Sequence, residues 1–469
     1  MLNKIYEIVL NNPNNLAYKI GDKKITYREL WDLSDYYSDM LKRQGVGPVI
    51  IYGNKDIDVV VSILSCIKAK RTYIPVSLNT PIKRLESIIS LTKSDLILTD
   101  NKVLDNILNI SLNELSRYKD NKIIESNNEY AYIIFTSGTT GEPKGVPISY
   151  ANLNNFINWI NLLYPLKDYK EINVLNQANF SFDLSVADFY YALTNGHTLV
   201  AFDGDIKNDY NKFIDLFKYE NINVAIMTPT FMKMCLLDKD FNDNNIKDFR
   251  CVYFCGELLE KKVVENLKKR FKKLYIINAY GPTEATSAVS SVLIDDNILL
   301  NNELLPVGDI NTSATDICII NDEIVLKGKS VFDGYLNNYH GGYFNLENVN
   351  CYKTGDIGYI KNNLLYIKGR VDSQIKFKGY RIELGEIEYN LNRLDEISES
   401  CVVAKYDDSN NIKYLKAFVV LNKNVSTDYI KGELKKYIPE YMIPRNILII
   451  DKLPINQNGK IDRKYLGEL

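Results

Sequence analysis

The stretch Tyr-Ile-Ile-Phe-Thr-Ser-Gly-Thr-Thr-Gly-Glu-Pro-Lys-Gly, residues 132–145, runs a short apolar segment into a loop of glycines and hydroxyls. Residues 131–135 predict a strand. In the loop, Thr136, Ser137, Thr139 and Thr140 alternate with Gly138, Gly141 and Gly145. The glycines let the backbone approach a ligand closely, and the hydroxyls and amides can donate to anionic oxygens. Lys144 adds a compact positive charge. The combination predicts a phosphate-binding loop at the end of a strand; a plain Gly/Thr surface turn is the alternative. It is not a P-loop, which needs Gly before the lysine and Ser or Thr after it. Here Pro143 precedes Lys144 and Gly145 follows it.

Working outward, residues 30–41, 49–52 and 59–69 alternate helical and strand-like patterns, and this rhythm continues to about residue 300. It predicts a layered α/β domain with a largely parallel sheet. From about residue 315 the pattern changes to short strands and turns, at 317–320, 323–327 and 364–368. After Gly369-Arg370-Val371 a compact α+β tail begins. The expected division is a large α/β domain over 1–371 and a small C-terminal α+β domain over 372–469.

The 469 residues suffice for a large core. Lys and Arg total 57 against 59 Asp and Glu, a net charge of −2 that makes no electrostatic case for nucleic acid. No apolar run reaches the roughly 18 residues that span a bilayer, and Glu7 interrupts what would be a signal core. Stable membrane insertion is not expected. The seven cysteines are scattered, an odd number that fits reduced thiols and a cytoplasmic protein. Cys251 and Cys255 have no second pair or nearby His, which argues against zinc. With only two histidines, His197 and His340, a mechanism built on histidine base catalysis has little to work with.

Five further stretches carry candidate chemistry. Asn278-Ala279-Tyr280-Gly281-Pro282-Thr283-Glu284 follows an apolar run. It sets an aromatic plane for adenine (Tyr280), a hydroxyl for phosphate (Thr283) and a carboxylate for Mg²⁺ (Glu284) within one turn. An ordinary Gly-Pro turn is the alternative. Tyr352-Lys353-Thr354-Gly355-Asp356 carries a Thr-Gly-Asp whose ordinary reading is a turn. Gly369-Arg370-Val371-Asp372 follows a strand-like segment, and Asn456-Gln457-Asn458-Gly459-Lys460 places a lysine at an Asn-Gly turn. In Phe180-Ser181-Phe182-Asp183-Leu184-Ser185 an acid stands among apolar residues, where burial is costly unless a cation pairs with it. A helix N-cap is the other common post for such an Asp.

Together with residues 132–145, these stretches resemble, in order and over essentially the whole chain, the signatures of the adenylate-forming superfamily. That superfamily includes acyl-CoA synthetases, luciferases and the adenylation domains of peptide synthetases. The Tyr-Gly-Pro-Thr-Glu match is complete, whereas Lys353 replaces the family's usual Arg. The resemblance implies ATP and Mg²⁺ as cofactors, with Thr136, Ser137, Gly138, Thr139, Thr140, Gly141 and Lys144 at the phosphates. It places Gly256, Glu257, Asn278, Ala279 and Tyr280 around the nucleotide, and Asp356 with Arg370 at the ribose. The same resemblance implies that Lys460 and Thr283 act in catalysis with Glu284, which would also bind the metal, and that Asp372 is the hinge of a mobile small domain. A cation held between the reacting carboxylate and the α-phosphate lowers the barrier electrostatically, which suits a chain so poor in histidine.

In the peptide-synthetase branch an Asp at position 183 pairs with the ammonium group of an amino acid. The segments 180–190, 228–235 and 254–257 look most like the branch that loads D-alanine onto a carrier protein, with Leu184, Cys255, Ala279 and Ser287 lining the substrate. The expected partners are a small amino acid and a phosphopantetheinylated carrier protein in trans, the enzyme acting as a monomer. Ala187, Ala279 and Ser287 are small and leave a larger amino acid as an alternative. A kinase-like ATPase and a non-catalytic nucleotide-binding module are the rival classes. The order around Lys144 weighs against the first, and retention of Lys460, Glu284 and Asp356 against the second.

Overall fold

The computed structural model describes residues 1–100, 103–105, 107–138, 143–202, 210–336, 341–371, 374–407, 411–455 and 461–469. The chain divides into two compact units. Met1–Leu78, Lys93–Ile134 and Val146–Val371 form the first; Asn79–Thr92, Phe135–Gly145 and Asp372–Leu469 form the second.

In the first unit an eight-stranded sheet runs in the order Ser290–Leu293, Tyr275–Tyr280, Cys251–Phe254, Ile222–Met227, Asn173–Asn176, Thr198–Ala201, Leu16–Ile20, Lys23–Thr26. The six inner strands are parallel, and each edge strand is antiparallel to its neighbour. A parallel sheet needs cover on both faces, and the inner strands divide accordingly. Val174, Val224, Ile226, Cys251 and Tyr253 enter one apolar cluster, while Leu175, Ala225, Met227, Val252 and Phe254 enter another. The helix Leu184–Asn195 packs on this sheet and is buried on every side from Leu184 to Thr194. It ends where Gly196 turns left-handed at φ 74°.

A second, six-stranded sheet has the order Leu108–Ile110, Leu96–Leu98, Val49–Tyr52, Tyr73–Val76, Tyr130–Thr136, Lys144–Ser149. Residues 131–135 thus form the strand their composition predicts, and it runs directly into the glycine-rich loop. A third, antiparallel sheet is built around the long strand Val349–Lys361, paired with Leu364–Arg370, Glu323–Lys327 and Tyr343–Leu346.

The second unit has its own core. The hairpin Gln374–Phe377/Tyr380–Glu383 turns through Lys378 and Gly379, both at positive φ, as a two-residue turn of the primed type requires. A three-stranded sheet, Ile397–Tyr406, Ile412–Leu421 and Asn446–Ile449, carries the helices Leu384–Asn392 and Thr427–Leu434. The fold is therefore a large layered α/β body with a smaller α+β domain, as the sequence predicts. Asn79–Thr92 and Phe135–Gly145, expected within the large domain, group with the smaller unit instead. The buried pair Arg84–Glu386, at 2.5 Å, is one reason.

Candidate active site

Several candidate residues of the first unit come from one edge of its parallel sheet. Cys255 and Gly256 follow the strand Cys251–Phe254, Gly281–Glu284 follow Tyr275–Tyr280, and Asp183 lies on the turn after Asn173–Asn176. All three are the carboxyl ends of parallel strands, where open α/β sheets bind ligands. Close packing makes glycine necessary at 281, since a Cβ there would stand 2.5 Å from the Ala288 Cα. Beyond Glu284 the backbone is strained: Thr286 and Ser287 both adopt left-handed φ, 61° and 71°. The Thr286 hydroxyl, donating to the Ser330 carbonyl at 2.9 Å, helps hold that conformation.

Asp183 occupies the N-cap position of the helix Leu184–Asn195 but makes no capping bond. Instead its Oδ2 accepts the Thr283 hydroxyl at 2.6 Å. That contact joins the acid of the Phe-rich turn to the Tyr-Gly-Pro-Thr-Glu turn, 100 positions away. The Tyr280 hydroxyl donates to Asp356 Oδ2 at 2.6 Å, and the Arg370 guanidinium donates to Asp356 Oδ1 at 2.5 Å. Asp356 and Arg370 face each other across adjacent antiparallel strands, so the sheet register itself makes the pair. Burial, and secondarily the Asp356 charge, push the Tyr280 phenol far above its ordinary pKa, so it remains a neutral donor.

Glu284 is fully buried and accepts the Tyr335 hydroxyl at 2.5 Å, with the Tyr352 hydroxyl 3.2 Å beyond. The sequence reading missed Tyr335; the turn glycine before it, Gly334 at φ 108°, was the available signal. Cys255 is buried with its Sγ 3.9 Å from the Ser287 carbonyl, which brings these two candidate pocket residues together. Asn278 donates to the Pro306 carbonyl at 2.7 Å, and its Oδ1 is buried without a partner. Glu257 accepts the Thr230 amide at 2.9 Å, in the first turn of the helix Pro229–Cys235, a structural post for a carboxylate. His197 is wholly buried, and desolvation lowers its pKa to about 4, so it is neutral at physiological pH.

The phosphate-loop residues belong to the second unit. Ser137 donates to the Arg381 carbonyl and accepts the Glu383 amide, each at 3.0 Å. The Gly138 amide donates to Glu386 Oε2 at 3.0 Å, and the Lys144 ammonium stands 3.9 Å from Glu383 Oε1. Carboxylate oxygens thus sit on donors that the sequence assigned to phosphate. The Thr136 hydroxyl is buried without a partner. Thr139, Thr140, Gly141, Asp372, His340 and Lys460 lie outside the described residues.

Residues 6–336 match the family model of AMP-binding enzymes, and residues 386–460 match that of the AMP-binding enzyme C-terminal domain. The chain belongs to the AMP-binding enzyme family. It is 36% identical to the D-alanine–D-alanyl carrier protein ligase of Bacillus licheniformis, covering 100% of this chain and 99% of that one. The ligase of the same name from Staphylococcus epidermidis is also 36% identical, over 100% of this chain and 99% of its own. Among solved structures, the Vibrio cholerae adenylation domain AlmE in complex with glycyl-adenosine-5'-phosphate superposes with a TM-score of 0.87 at 26% identity, covering 100% and 97% of the two chains. This AMP-binding enzyme is an AMP-forming ligase. No helix among its described residues is long and apolar enough to cross a membrane.

Proposed function

We propose that the protein activates D-alanine with ATP as D-alanyl-AMP and passes the acyl group to the phosphopantetheine thiol of a carrier protein. The observation that carries the amino-acid part is the Asp183–Thr283 hydrogen bond. It turns a carboxylate away from capping its helix and toward the nucleotide motif, where it can meet an ammonium group. The D-alanine assignment is supported by full-length similarity to ligases of that name. Cys255 would narrow the pocket around a methyl side chain, with Leu184, Ala279 and Ser287 lining it.

In the first half-reaction the substrate carboxylate attacks the α-phosphorus, forming a P–O bond as the bond to pyrophosphate breaks. Negative charge spreads over the reacting groups, and a fixed cation at Lys460 would stabilise it without moving a proton. The Thr283 hydroxyl would leave Asp183 for the phosphate as the substrate ammonium takes its place on that carboxylate. Asp356 would accept from the ribose hydroxyls with Arg370 steadying it, and Asn278, Ala279, Tyr280, Gly256 and Glu257 would frame the base. Among the described residues no cluster of three acidic, Cys or His groups could hold a metal alone. The buried Glu284 carboxylate fits a site completed by nucleotide oxygens, the usual mode for Mg²⁺. Bound there, Mg²⁺ would neutralise phosphate charge.

In the second half-reaction the thiol attacks the acyl carbonyl, AMP leaves, and the thiol proton is released to solvent. We place the division of labour between residues 1–371 and a mobile unit from Asp372 onward, and the enzyme in the cytoplasm as a monomer. Incubation with ATP, D-alanine and a phosphopantetheinylated carrier, followed by intact-protein mass measurement, tests the reading. A D-alanyl thioester on the carrier is expected; an unloaded carrier beside an enzyme that forms the adenylate would remove the transfer step.

A further inference from the structure

We infer that Lys55 is a positioning residue for amino-acid binding: it fixes the turn that presents Asp183. Lys55 lies in the loop between the strand Val49–Tyr52 and the helix Ile57–Lys68 and is buried. Its ammonium donates to the carbonyls of Asn176 and Gln177, at 3.0 and 2.6 Å. These carbonyls close the strand Asn173–Asn176 and open the turn that ends at Asp183. The far side of the turn is tied to the same cluster. The Asn176 amide donates to both oxygens of Asp188, at 3.1 and 3.0 Å, and Asp188 sits within the helix that Asp183 begins. Lys55 is itself held in place, because the Tyr18 hydroxyl donates to its carbonyl at 2.5 Å.

One buried cluster therefore pins the turn at both ends, leaving the carboxylate of Asp183 to meet Thr283. Asn176 and Asp188 are fully buried, so the turn has no solvent to replace a lost donor. Burial also lowers the Lys55 pKa, to about 8, with the Asp188 charge opposing the shift. An ammonium in such a place is retained only where its bonds are well made. The hydrogen bonds of Lys55 and Asp188 described above stay on the turn and on the strand and helix that flank it, so loss of Lys55 should act on the amino acid and not on ATP.

The inference rests on Asp183 binding the substrate ammonium, and the test separates the two. Pyrophosphate exchange is measured for Lys55→Met, Asp183→Asn and the double variant, with the KM for D-alanine and the KM for ATP determined separately. Lys55→Met should raise the D-alanine KM by roughly tenfold to a hundredfold, the scale of losing hydrogen bonds to a charged group. The ATP KM should change by less than about twofold. In the Asp183→Asn background, adding Lys55→Met should change the D-alanine KM little, because coupled residues are not additive. Lys55→Gln keeps two N–H donors on a chain one bond shorter and should give a smaller rise of the same kind if the methionine variant does not fold. A shift in both KM values together, no shift in either, or full additivity with Asp183→Asn would overturn the positioning role. An Asp183→Asn enzyme with a normal D-alanine KM would overturn the reading beneath it as well.

Discussion

Replacing Tyr335 with Phe removes a single oxygen and tests whether the Glu284 carboxylate is held for chemistry. The Tyr335 ring packs edge-on against Phe332, with centroids 4.8 Å apart, and the substitution preserves that contact. What disappears is the 2.5 Å donation to Glu284 and the 3.2 Å contact with Tyr352. Glu284 is 0% exposed, so water cannot step in as the donor. A hydrogen bond to a charged group is worth about 1.5–3 kcal/mol, and that range corresponds to roughly a tenfold to hundredfold change in an equilibrium or rate. Adenylation should fall by that factor, and the Mg²⁺ concentration for half-maximal pyrophosphate exchange should change with it. The assay is exchange at saturating ATP and D-alanine over a Mg²⁺ series, beside a denaturant titration of the same variant. A variant with wild-type exchange at every Mg²⁺ concentration, differing only in stability, would refute the assignment of Tyr335 as the residue that orients Glu284.

Lys460→Ala should lower adenylate formation by about two to three decades, the scale of losing one charge-stabilising group, while sparing thioester formation from preformed D-alanyl-AMP; single-turnover assays of each half-reaction check this. Arg84→Met leaves Glu386, 1% exposed, without its cation and should destabilise the smaller unit by about 3–5 kcal/mol in chemical denaturation. Burial disfavours the charged form of His197 and lowers its pKa from an ordinary 6.5 to about 4. The unfolded chain therefore binds the extra proton first, so this residue's contribution is fully present above about pH 6.5 and is lost as pH falls toward 4. His197→Phe should flatten the stability profile in that window and leave the pH profile of adenylation unchanged.

The parts of the molecule legible in sequence are those written locally. The apolar runs before Thr136 and before Asn278 fall within the strands Tyr130–Thr136 and Tyr275–Tyr280, and candidate site residues emerge where those strands end. The two readings of Asp183 could not be separated locally, because an N-cap and a substrate-facing acid occupy the same place at a helix start. In the structure Asp183 makes no capping bond and accepts the Thr283 hydroxyl, which supports the substrate-facing reading. Tyr335 and Lys55 act across 51 and 121 positions respectively, through one side chain each, and such contacts leave no periodic trace. The same is true of the Arg84–Glu386 pair, 302 positions apart, which draws Asn79–Thr92 toward the C-terminal unit.

The central claim is that this AMP-binding enzyme activates D-alanine through Asp183. Its most direct test is amino-acid-dependent pyrophosphate exchange over D-alanine, L-alanine, glycine, bulkier D- and L-amino acids, and aryl and fatty acids, with wild type and Asp183→Asn side by side. D-alanine should give the highest kcat/KM. Asp183→Asn should nearly abolish its activation, since removing one member of a desolvated charge pair costs about 3–5 kcal/mol. Preference for an aryl or fatty acid, with Asp183→Asn fully active, would contradict the claim; preference for a bulky amino acid would exclude D-alanine alone.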